Sequence, residues 1–299
     1  MTKIAILTPN PSDPSYAGQW PQVLAVLQQA LSDAGLEAQP TPWTDHVEDA
    51  SGLLGFDLIL PVIVWGYHRD HEMWLRACRL WKALGLPLAN SADTLMWNSD
   101  KAYLQGLIEH AIPMAATRFV EKVTARDIDM AFDDLASDVL IVKPTISAGA
   151  YRTLRLDRTQ DWASQLADAP DGAAMIQSYL PTIETEGETS LLFFGGKLSH
   201  VVNKRPGSEG EFRIQVQFGG QYRALDAADP EALALAEQVL QAFGDELLYA
   251  RIDMTRDETG RWVLMEAELI EPDFYLASAP MAGANFANAV KAKLAALRA

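Results

Sequence analysis

The sequence predicts an α/β protein that gives way to an α+β one, and three observations predict it. The first hundred residues alternate strand-like and helix-like runs, the pattern of a parallel sheet with crossover helices. After about Phe119 one helical run is followed by many short β-rich runs separated by turns. Near the C-terminus two apolar-rich runs, Leu247 to Met254 and Trp262 to Leu269, flank the polar segment Asp257 to Gly260, the composition of a β-hairpin. Three parts are expected: an N-terminal α/β domain over 1–117, a central subdomain over 118–181 and a C-terminal subdomain over 182–299.

Taken in order, Lys3 to Leu7 reads as a strand, and Val23 to Ala34 repeats apolar residues at helical spacing before Gly35. Glu37 to Trp43 is a weaker strand. Asp57 to Val64 is a continuous apolar run suited to a buried parallel strand, with Pro61 inside it. A helix then presents Met73, Trp74, Ala77, Leu80, Trp81 and Leu84 and stops at Gly85 and Pro87. In the second half Ala125 to Leu135 reads as helix. Val139 to Lys143, Arg152 to Leu156, Ala173 to Tyr179, Thr189 to Phe194, Leu198 to Lys204 and Phe212 to Phe218 read as strands, with a hairpin at Gly195-Gly196. Helices over Pro230 to Phe243 and Phe286 to Arg298 complete the chain.

The 299 residues are 49% apolar, enough for several small cores. The formal charge, 24 basic against 40 acidic residues, is −16. A field of that sign opposes nucleic acid and anionic membranes. It also requires any polyphosphate to be held by locally placed cations. No run approaches the roughly 20 apolar residues of a membrane span. The start, Met1-Thr-Lys-Ile-Ala-Ile-Leu, has no leader pattern, and a cytoplasmic location is expected. Cys78 has no second thiol to pair with and reads as a buried, inert residue. Oligomeric state stays open, a homodimer included.

The hairpin carries the strongest chemical signal. Side chains alternate along a strand, so Glu266 and Glu268 share a face. A reversal near Thr259 or Gly260 brings Asp253 opposite or diagonal to Glu266. Carboxylates so gathered repel one another unless a cation supplies the missing charge. The bland alternative is an exposed face with incidental acids, which strands tend to avoid.

Other segments are weaker alone. Lys143 ends an apolar strand, and Thr-Ile-Ser147-Ala-Gly149-Ala follows, a small-residue loop whose amides could meet phosphate oxygens. The order of a Walker loop is absent, and so is a G-x-G-x-x-G after the first strand. Asn98-Ser-Asp-Lys101 opens a helix that Asn98 or Asp100 could cap, Lys101 being otherwise a solvated side chain. Met175 to Pro181 reads as a strand ending in proline with an open edge, one that an adenine base could pair with, and Glu188 could hold ribose hydroxyls. His68-Arg-Asp-His71-Glu72 has metal-ligand residue types, but Asp70 also suits a helix N-cap. Trp20, Trp65 and Tyr67 follow strand ends, where α/β sheets place ligands.

In this order, Asn-Ser-Asp-Lys101, Val-Leu-Ile-Val-Lys143-Pro, the small loop, Gln177-Ser-Tyr-Leu-Pro, Arg213, Asp253 and Glu266-Ala-Glu268 resemble the ATP-grasp superfamily. The Met-Ile-Gln-Ser-Tyr-Leu-Pro stretch with Gly187-Glu188 is similar to the glutathione synthetase type and, more distantly, to D-alanine:D-alanine ligases. Leu-Met-Glu266-Ala-Glu268-Leu-Ile-Glu-Pro also resembles the D-cycloserine-forming cyclo-ligases, which close O-ureido-serine. The resemblance spans about residues 85–275.

It implies an ATP-grasp fold with two α+β subdomains clasping ATP. Lys101 and Lys143 would clamp phosphates, Ser147 and Gly149 would lie in a lid, and Gln177, Ser178, Tyr179 and Leu180 would hold adenine. Glu188 would take the ribose, and Asp253, Glu266 and Glu268 two Mg²⁺ ions, with Mn²⁺ an alternative. Arg213 would join Lys143 in catalysis by stabilising developing charge. Two departures stand out: Glu268 replaces the usual Asn and adds a negative charge, and the lid has the single glycine Gly149. The implied reaction phosphorylates a substrate carboxylate with ATP, after which an amine attacks the acyl phosphate. A cyclo-ligase, whose nucleophile lies within the same substrate, and a catalytically silent nucleotide-binding module are the alternatives. Specificity is expected in Tyr16 to Trp20, Trp65 to His71 and Glu271 to Tyr275.

Overall fold

The computed structural model describes residues 2–208, 211–244 and 246–299. The first body comprises β1 (Ile4–Thr8), α1 (Trp20–Asp33), β2 (Ala38–Pro42), β3 (Leu58–Leu60), α2 (His71–Ala83), α3 (Ala92–Asn98) and α4 (Tyr103–Glu109). β1 is fully buried at the centre, paired in parallel with β2 and β3. Parallel neighbours need a crossover, and α1 supplies it by burying Leu24, Leu27 and Leu31. The apolar run Asp57 to Val64 is a strand only as far as Leu60. Pro61 has no amide to continue the ladder, and Val62 to Val64 stay buried as irregular chain. Asp70 caps α2 by accepting from the Met73 amide at 2.9 Å, and Trp74 and Trp81 pack edge to face at 5.7 Å.

The second body holds β4 (Thr117–Val120), α5 (Ala125–Asp134), β5 (Val139–Pro144), β6 (Leu154–Asp157) and β7 (Ala174–Ser178) in an antiparallel sheet ordered β4-β7-β5-β6. Thr124 and Asp127 form a reciprocal capping box on α5, which buries Ile128, Ala131 and Phe132 against Leu140, Val142, Leu156 and Ile176. β7 is interior. Its backbone is paired on both sides through Ser178, where the sequence suggests an open edge.

The third body has α6 (Thr182–Thr185), β8 (Glu188–Phe194), β9 (Lys197–Arg205), β10 (Gln221–Leu225), α7 (Pro230–Phe243), β11 (Tyr249–Arg256), β12 (Trp262–Glu268) and α8 (Ala282–Ala296). Its antiparallel sheet is ordered β10-β9-β8-β11-β12. Gly195 and Gly196, with φ of 56° and 73°, make the β8–β9 turn. The strand expected over Phe212 to Phe218 is absent: Val216–Phe218 is one 3₁₀ turn, and the real strand is Gln221–Leu225. The alternation of apolar residues misleads there, because the chain doubles back at Gly220, where a Cβ would lie 1.8 Å from the Ile214 carbonyl oxygen. α8 returns to the first body, its Phe286, Val290 and Leu294 sharing a core with Ile4, Leu24 and Leu27. No helix among the described residues is long and apolar enough to cross a membrane.

Candidate active site

A cleft of about 840 Å³ opens where the three bodies meet, lined by Trp65 and Tyr67 from the first, Lys143 and Gln177 from the second, and Lys204, Arg251, Asp253 and Glu266 from the third. The β11–β12 hairpin forms one wall. From its turn the ladder runs Arg256–Trp262, Thr255–Val263, Met254–Leu264. Continued without interruption, it would keep Glu266 and Glu268 on the face of Leu264, which is buried in the core. The register instead slips by one residue between Met254 and Asp253, leaving Met265 without a directly opposed partner. The slip sets Asp253 opposite Glu266 and Arg251 opposite Glu268, and all four line the cleft.

Residues of the first body hold this wall in place. Asn98, which the sequence suggests as a helix cap, ends α3 and clamps β12: its amide donates to the Ala267 carbonyl at 2.8 Å, and its oxygen accepts from the Leu269 amide at 2.9 Å. Asp100 does not cap α4 either: its carboxylate accepts from the Ala102 amide at 2.9 Å in the turn before the helix, whose N-cap, Ala102, has no side-chain bond. The Tyr103 hydroxyl accepts from the Ala267 amide at 2.8 Å and donates to its carbonyl at 3.1 Å.

Lys101, in the turn between α3 and α4, donates to the Ser147 carbonyl at 2.9 Å and pairs with Glu266 at 3.1 Å. Lys143, at the end of β5, is the contrasting cation. It lines the cleft with no hydrogen bond or ion pair among the described residues, and burial pulls its pKa down. Burial also raises Glu266, but the charges of Lys101 and Lys143 outweigh it and leave its carboxyl below the ordinary value. Ser147 and Gly149 sit in the β5–β6 loop, which reaches the opposite wall through a 3.5 Å bond from the Gln217 amide to the Gly149 carbonyl. Gly149 has φ of 62°, a conformation that favours glycine.

The remaining expected residues are dispersed along the same cleft. Gln177 donates to the Thr117 hydroxyl at 2.8 Å, and Tyr179 lies under the Arg155 guanidinium at 4.7 Å, its own hydroxyl donating to Glu184 at 2.5 Å. Ser178 also lines the cleft. Leu180 packs with Ala115, Val263 and Met265 to make an apolar floor. Glu188 is paired with Lys204 at 2.5 Å. Arg213 is held by Glu211 at 2.7 Å and stacks on the Phe218 ring at 3.7 Å.

Two buried cations escape the sequence reading, Arg251 and Lys204. Arg251 grips Asp253 through Nε and Nη2 at 3.1 and 3.0 Å and also donates to Glu268. Lys204 reaches Asp253 at 3.2 Å as well as Glu188. The signal for Arg251 is present in the sequence: the period-two parity that puts Asp253 on the cleft face puts Arg251 there too. Lys204 is opposite Glu188 in the β8–β9 register, a pairing visible only once the strands are aligned.

These cations divide the three acids. Asp253 is 3% exposed, and besides Arg251 and Lys204 it accepts from the Ser190 hydroxyl at 2.5 Å, so its oxygens are fully engaged. Burial would raise it, but the two cations hold it down at about 2. Glu268 behaves in the opposite way: burial and the charges of Glu266 and Asp253 lift it to about 7 in spite of Arg251. Glu271 is pushed up to about 8 by burial and then by Glu268. No set of three His, Cys, Asp or Glu among the described residues is spaced to hold a metal ion. Glu266 and Glu268, whose side chains keep 29% and 31% exposure and line the cleft, form a pair of hard oxygen donors. Such a pair suits Mg²⁺, which takes one or two protein carboxylates and fills its octahedron with water and phosphate oxygens. The segment His68 to Glu72 is organised as a helix start, with His71 bonded to the Ser99 hydroxyl at 2.8 Å.

Residues 4–90 match the family described as the D-cycloserine synthetase DcsG N-terminal domain. The cycloserine biosynthesis protein DcsG of Streptomyces lavendulae is 26% identical over 286 residues, covering 90% of this chain and 92% of the relative. A glutathione synthetase of Parasynechococcus marenigrum is 27% identical over 257 residues, 82% of this chain and 75% of the relative. Among solved structures, D-cycloserine synthetase DcsG superposes with a TM-score of 0.81 at 23% identity, covering 98% of this chain and 99% of the other. D-alanine–D-alanine ligase from Bacillus anthracis does so with a TM-score of 0.73 at 16% identity, covering 100% and 98%. An ATP-grasp RimK domain protein from Sphaerobacter thermophilus gives 0.66 at 18% identity, over 96% and 98%. The fold is that of the ATP-grasp ligases, and the chain resembles D-cycloserine synthetase over nearly its whole length and glutathione synthetase over most of it.

Proposed function

We propose that the protein is an ADP-forming ligase that activates the carboxylate of a small, amino-acid-like substrate as an acyl phosphate and joins it to an amine. The observation that carries this reading is the Lys101–Glu266 pair, 3.1 Å apart, in a cleft that the unpaired Lys143 also lines, two cations and an acid from three separate segments. In a protein of charge −16, positive charge for a polyphosphate must be local, and the uncommitted ammonium of Lys143 provides it. Lys101 and Lys143 would take phosphate oxygens, with the β5–β6 loop around Ser147 and Gly149 closing over them. The apolar floor at Leu180 and Met265, beside Gln177, Ser178 and Tyr179, is suited to a purine ring, and Glu188 to ribose hydroxyls.

Glu266 and Glu268 would hold Mg²⁺, two ions or one, with Mn²⁺ an alternative. When bound, the metal supplies charge neutralisation between phosphates and acids. Asp253 would enter that set only by giving up Arg251 and Lys204, so its role in this reading is to orient those two cations. The substrate carboxylate oxygen attacks the γ-phosphorus and ADP leaves. The amine nitrogen then attacks the acyl carbon, phosphate leaves, and the released proton passes to solvent or phosphate. Arg251, at the cleft surface between Asp253 and Glu268, is placed to meet oxyanion charge as the acyl carbon becomes tetrahedral, and Arg213 lies across the cleft for the phosphoryl group. No protein nucleophile is required, because positioning and charge carry the rate.

The likeness to DcsG over 90% of the chain favours a second reading, a cyclo-ligase in which carboxylate and nucleophile belong to one molecule. One experiment tests both. With ATP, Mg²⁺ and a panel of amino acids and small carboxylates, hydroxylamine should trap a hydroxamate, with ADP and phosphate as products. A single substrate consumed without added amine identifies the cyclo-ligase. Formation of AMP and pyrophosphate, or absence of ATP binding, overturns both readings.

A further inference from the structure

The sheet of the third body has a second face, turned away from the cleft, and that face carries a cavity of its own. Side chains alternate along a strand, so while Glu188, Lys204 and Tyr222 line the cleft, their neighbours Thr189, Asn203, Arg205 and Arg223 belong to the other side. There, with Arg256 and Trp262, they line a hollow of about 210 Å³. Three guanidinium groups thus converge on one small concavity of a protein whose charge is −16.

Only one of the three is matched by acids. Arg256 donates to Asp229 at 2.9 Å and to the Gly260 carbonyl at 2.7 Å, lies 3.7 Å from Glu186, and stacks on the Trp262 ring at 4.7 Å. Arg205 has the Asn203 side-chain oxygen at 3.3 Å and no acid among the described residues. The exposed Arg223 side chain has neither a hydrogen bond nor an ion pair among the described residues. Arg223 stands opposite Asn203 in the β9–β10 register, so Arg205 is its diagonal neighbour on the same face, roughly 7–8 Å away. Like charges at that spacing repel, and an anion between them removes the repulsion.

The wall of the hollow is closely fitted around these cations. Gly187 admits the Arg205 stem, because a Cβ there would come within 2.8 Å of the Arg205 Cγ and 2.4 Å of the Lys204 carbonyl oxygen. Asn203 is 9% exposed, and its amide donates to the Glu186 carbonyl at 3.0 Å and the Thr189 hydroxyl at 3.2 Å, which leaves its oxygen for the Arg205 Nε. Two guanidinium groups without an acid match the charge of roughly −2 on a phosphate monoester. A phosphate also presents three terminal oxygens to arginine forks from three strands, β9, β10 and β11, where a carboxylate presents two. Trp262 and Leu225 add an apolar wall for the esterified group.

We propose that this hollow is a second anion site, separated from the cleft by the sheet, that takes the phosphate group of a small phosphorylated molecule. Its ligand is not a reactant, since the strands stand between it and the cleft. The same two strands, β8 and β9, carry Glu188 and Lys204 on their cleft face, which is the position of an effector.

The experiment is isothermal titration with inorganic phosphate, methyl phosphate and acetate, in chloride buffer, on the wild type, Arg223→Gln, Arg205→Gln and Lys143→Met. Each titration is repeated with the cleft filled by Mg²⁺ and a non-hydrolysable ATP analogue. Both phosphates should bind the wild type, and acetate should bind on the order of tenfold more weakly. Arg223→Gln and Arg205→Gln should each weaken phosphate on the order of tenfold or more, the worth of a charged hydrogen bond, and Arg223→Gln should keep its melting temperature. Lys143→Met and the analogue should leave this binding in place. Phosphate binding that either of them abolishes belongs to the cleft and overturns the proposal. So does an affinity unchanged in both arginine variants, an absence of phosphate binding, or equal binding of acetate and phosphate. Should the analogue fail to bind, the ligase reading falls, and the arginine variants in a Lys143→Met background still decide this one.

Discussion

Tyr103 closes a reciprocal pair of hydrogen bonds with the backbone of Ala267, the residue between Glu266 and Glu268. One hydroxyl from the first body thereby fixes the strand that carries both acids. The Tyr103 side chain is buried, so without the hydroxyl the Ala267 amide has no partner to fall back on, while the carbonyl keeps its bond from Asn98. Tyr103→Phe should therefore cost about 1–3 kcal/mol of stability, the penalty of unsatisfied buried groups. A denaturant melt reads that cost. Phosphate release should fall as well, and a loss of activity without a loss of stability would contradict this account of Tyr103.

Glu266 is paired with Lys101 and held down by the charges of Lys101 and Lys143. Glu266→Gln keeps its shape and removes its charge, and turnover should fall on the order of 10²-fold, in line with loss of one preorganised electrostatic group. The dependence on Mg²⁺ concentration should shift upward in the same variant, measured as the half-saturating Mg²⁺ at fixed ATP.

Lys143 has no protein partner among the described residues, so replacing it removes a ligand contact and little else. Lys143→Met should weaken ATP in isothermal titration while leaving the melting temperature of the ligand-free protein unchanged or higher, because a buried, unpaired charge has been removed. Lys101→Met should weaken ATP and also destabilise the protein, since Lys101 bridges the β5–β6 loop and Glu266.

Arg251 is buried between two acids, and its removal leaves Glu268 without an ion-pair partner among the described residues and Asp253 with Lys204 alone. Arg251→Met should cost about 3–5 kcal/mol, the usual result of breaking one side of a buried pair. Adding Asp253→Asn to that variant should recover part of the stability but not the activity, a combination that calorimetry and phosphate release can separate.

The ligand-free protein should lose stability as pH rises across the neutral range. Glu268 is held at about 7 and Glu271 at about 8, in both cases by burial first, against an ordinary value of 4.5. The folded state therefore keeps protons that the unfolded chain has released. Their stabilising contribution is complete below pH 4.5 and disappears as pH climbs through 7 and 8. Burial lowers His46, His68, His71 and His200 from 6.5, which gives the opposite slope below neutrality, so thermal melts between pH 7 and 8.5 should show the loss, and Glu271→Gln should flatten it.

Much of this site is legible in the chain because its signals are local. The hairpin turn, the acids on β12 and the lysine ending β5 each follow from a few adjacent residues. What the sequence conceals depends on alignment between segments. Lys204 matters only opposite Glu188, and Asn98 turns from a presumed cap into a clamp because α3 ends against β12. β10 is overlooked because Gln-Tyr-Arg-Ala-Leu is a short, mostly exposed strand with a weaker pattern than the seven alternating residues Phe212 to Phe218, which lie just before a close backbone approach. The interior position of β7 is a property of sheet order, which no single strand encodes.

The unpaired Met265 divides the hairpin into two lengths of ladder that hold their registers independently. The half beside the turn is tied by Arg256 to the Gly260 carbonyl and to Asp229, and the half beside the cleft by Asn98 and Tyr103. The turn is closed by its own bonds, Asp257 accepting from the Thr259 and Arg261 amides and Arg256 donating to the Gly260 carbonyl. The acids beyond the slip thus take their position from the first body, through Asn98 and Tyr103, rather than from the turn.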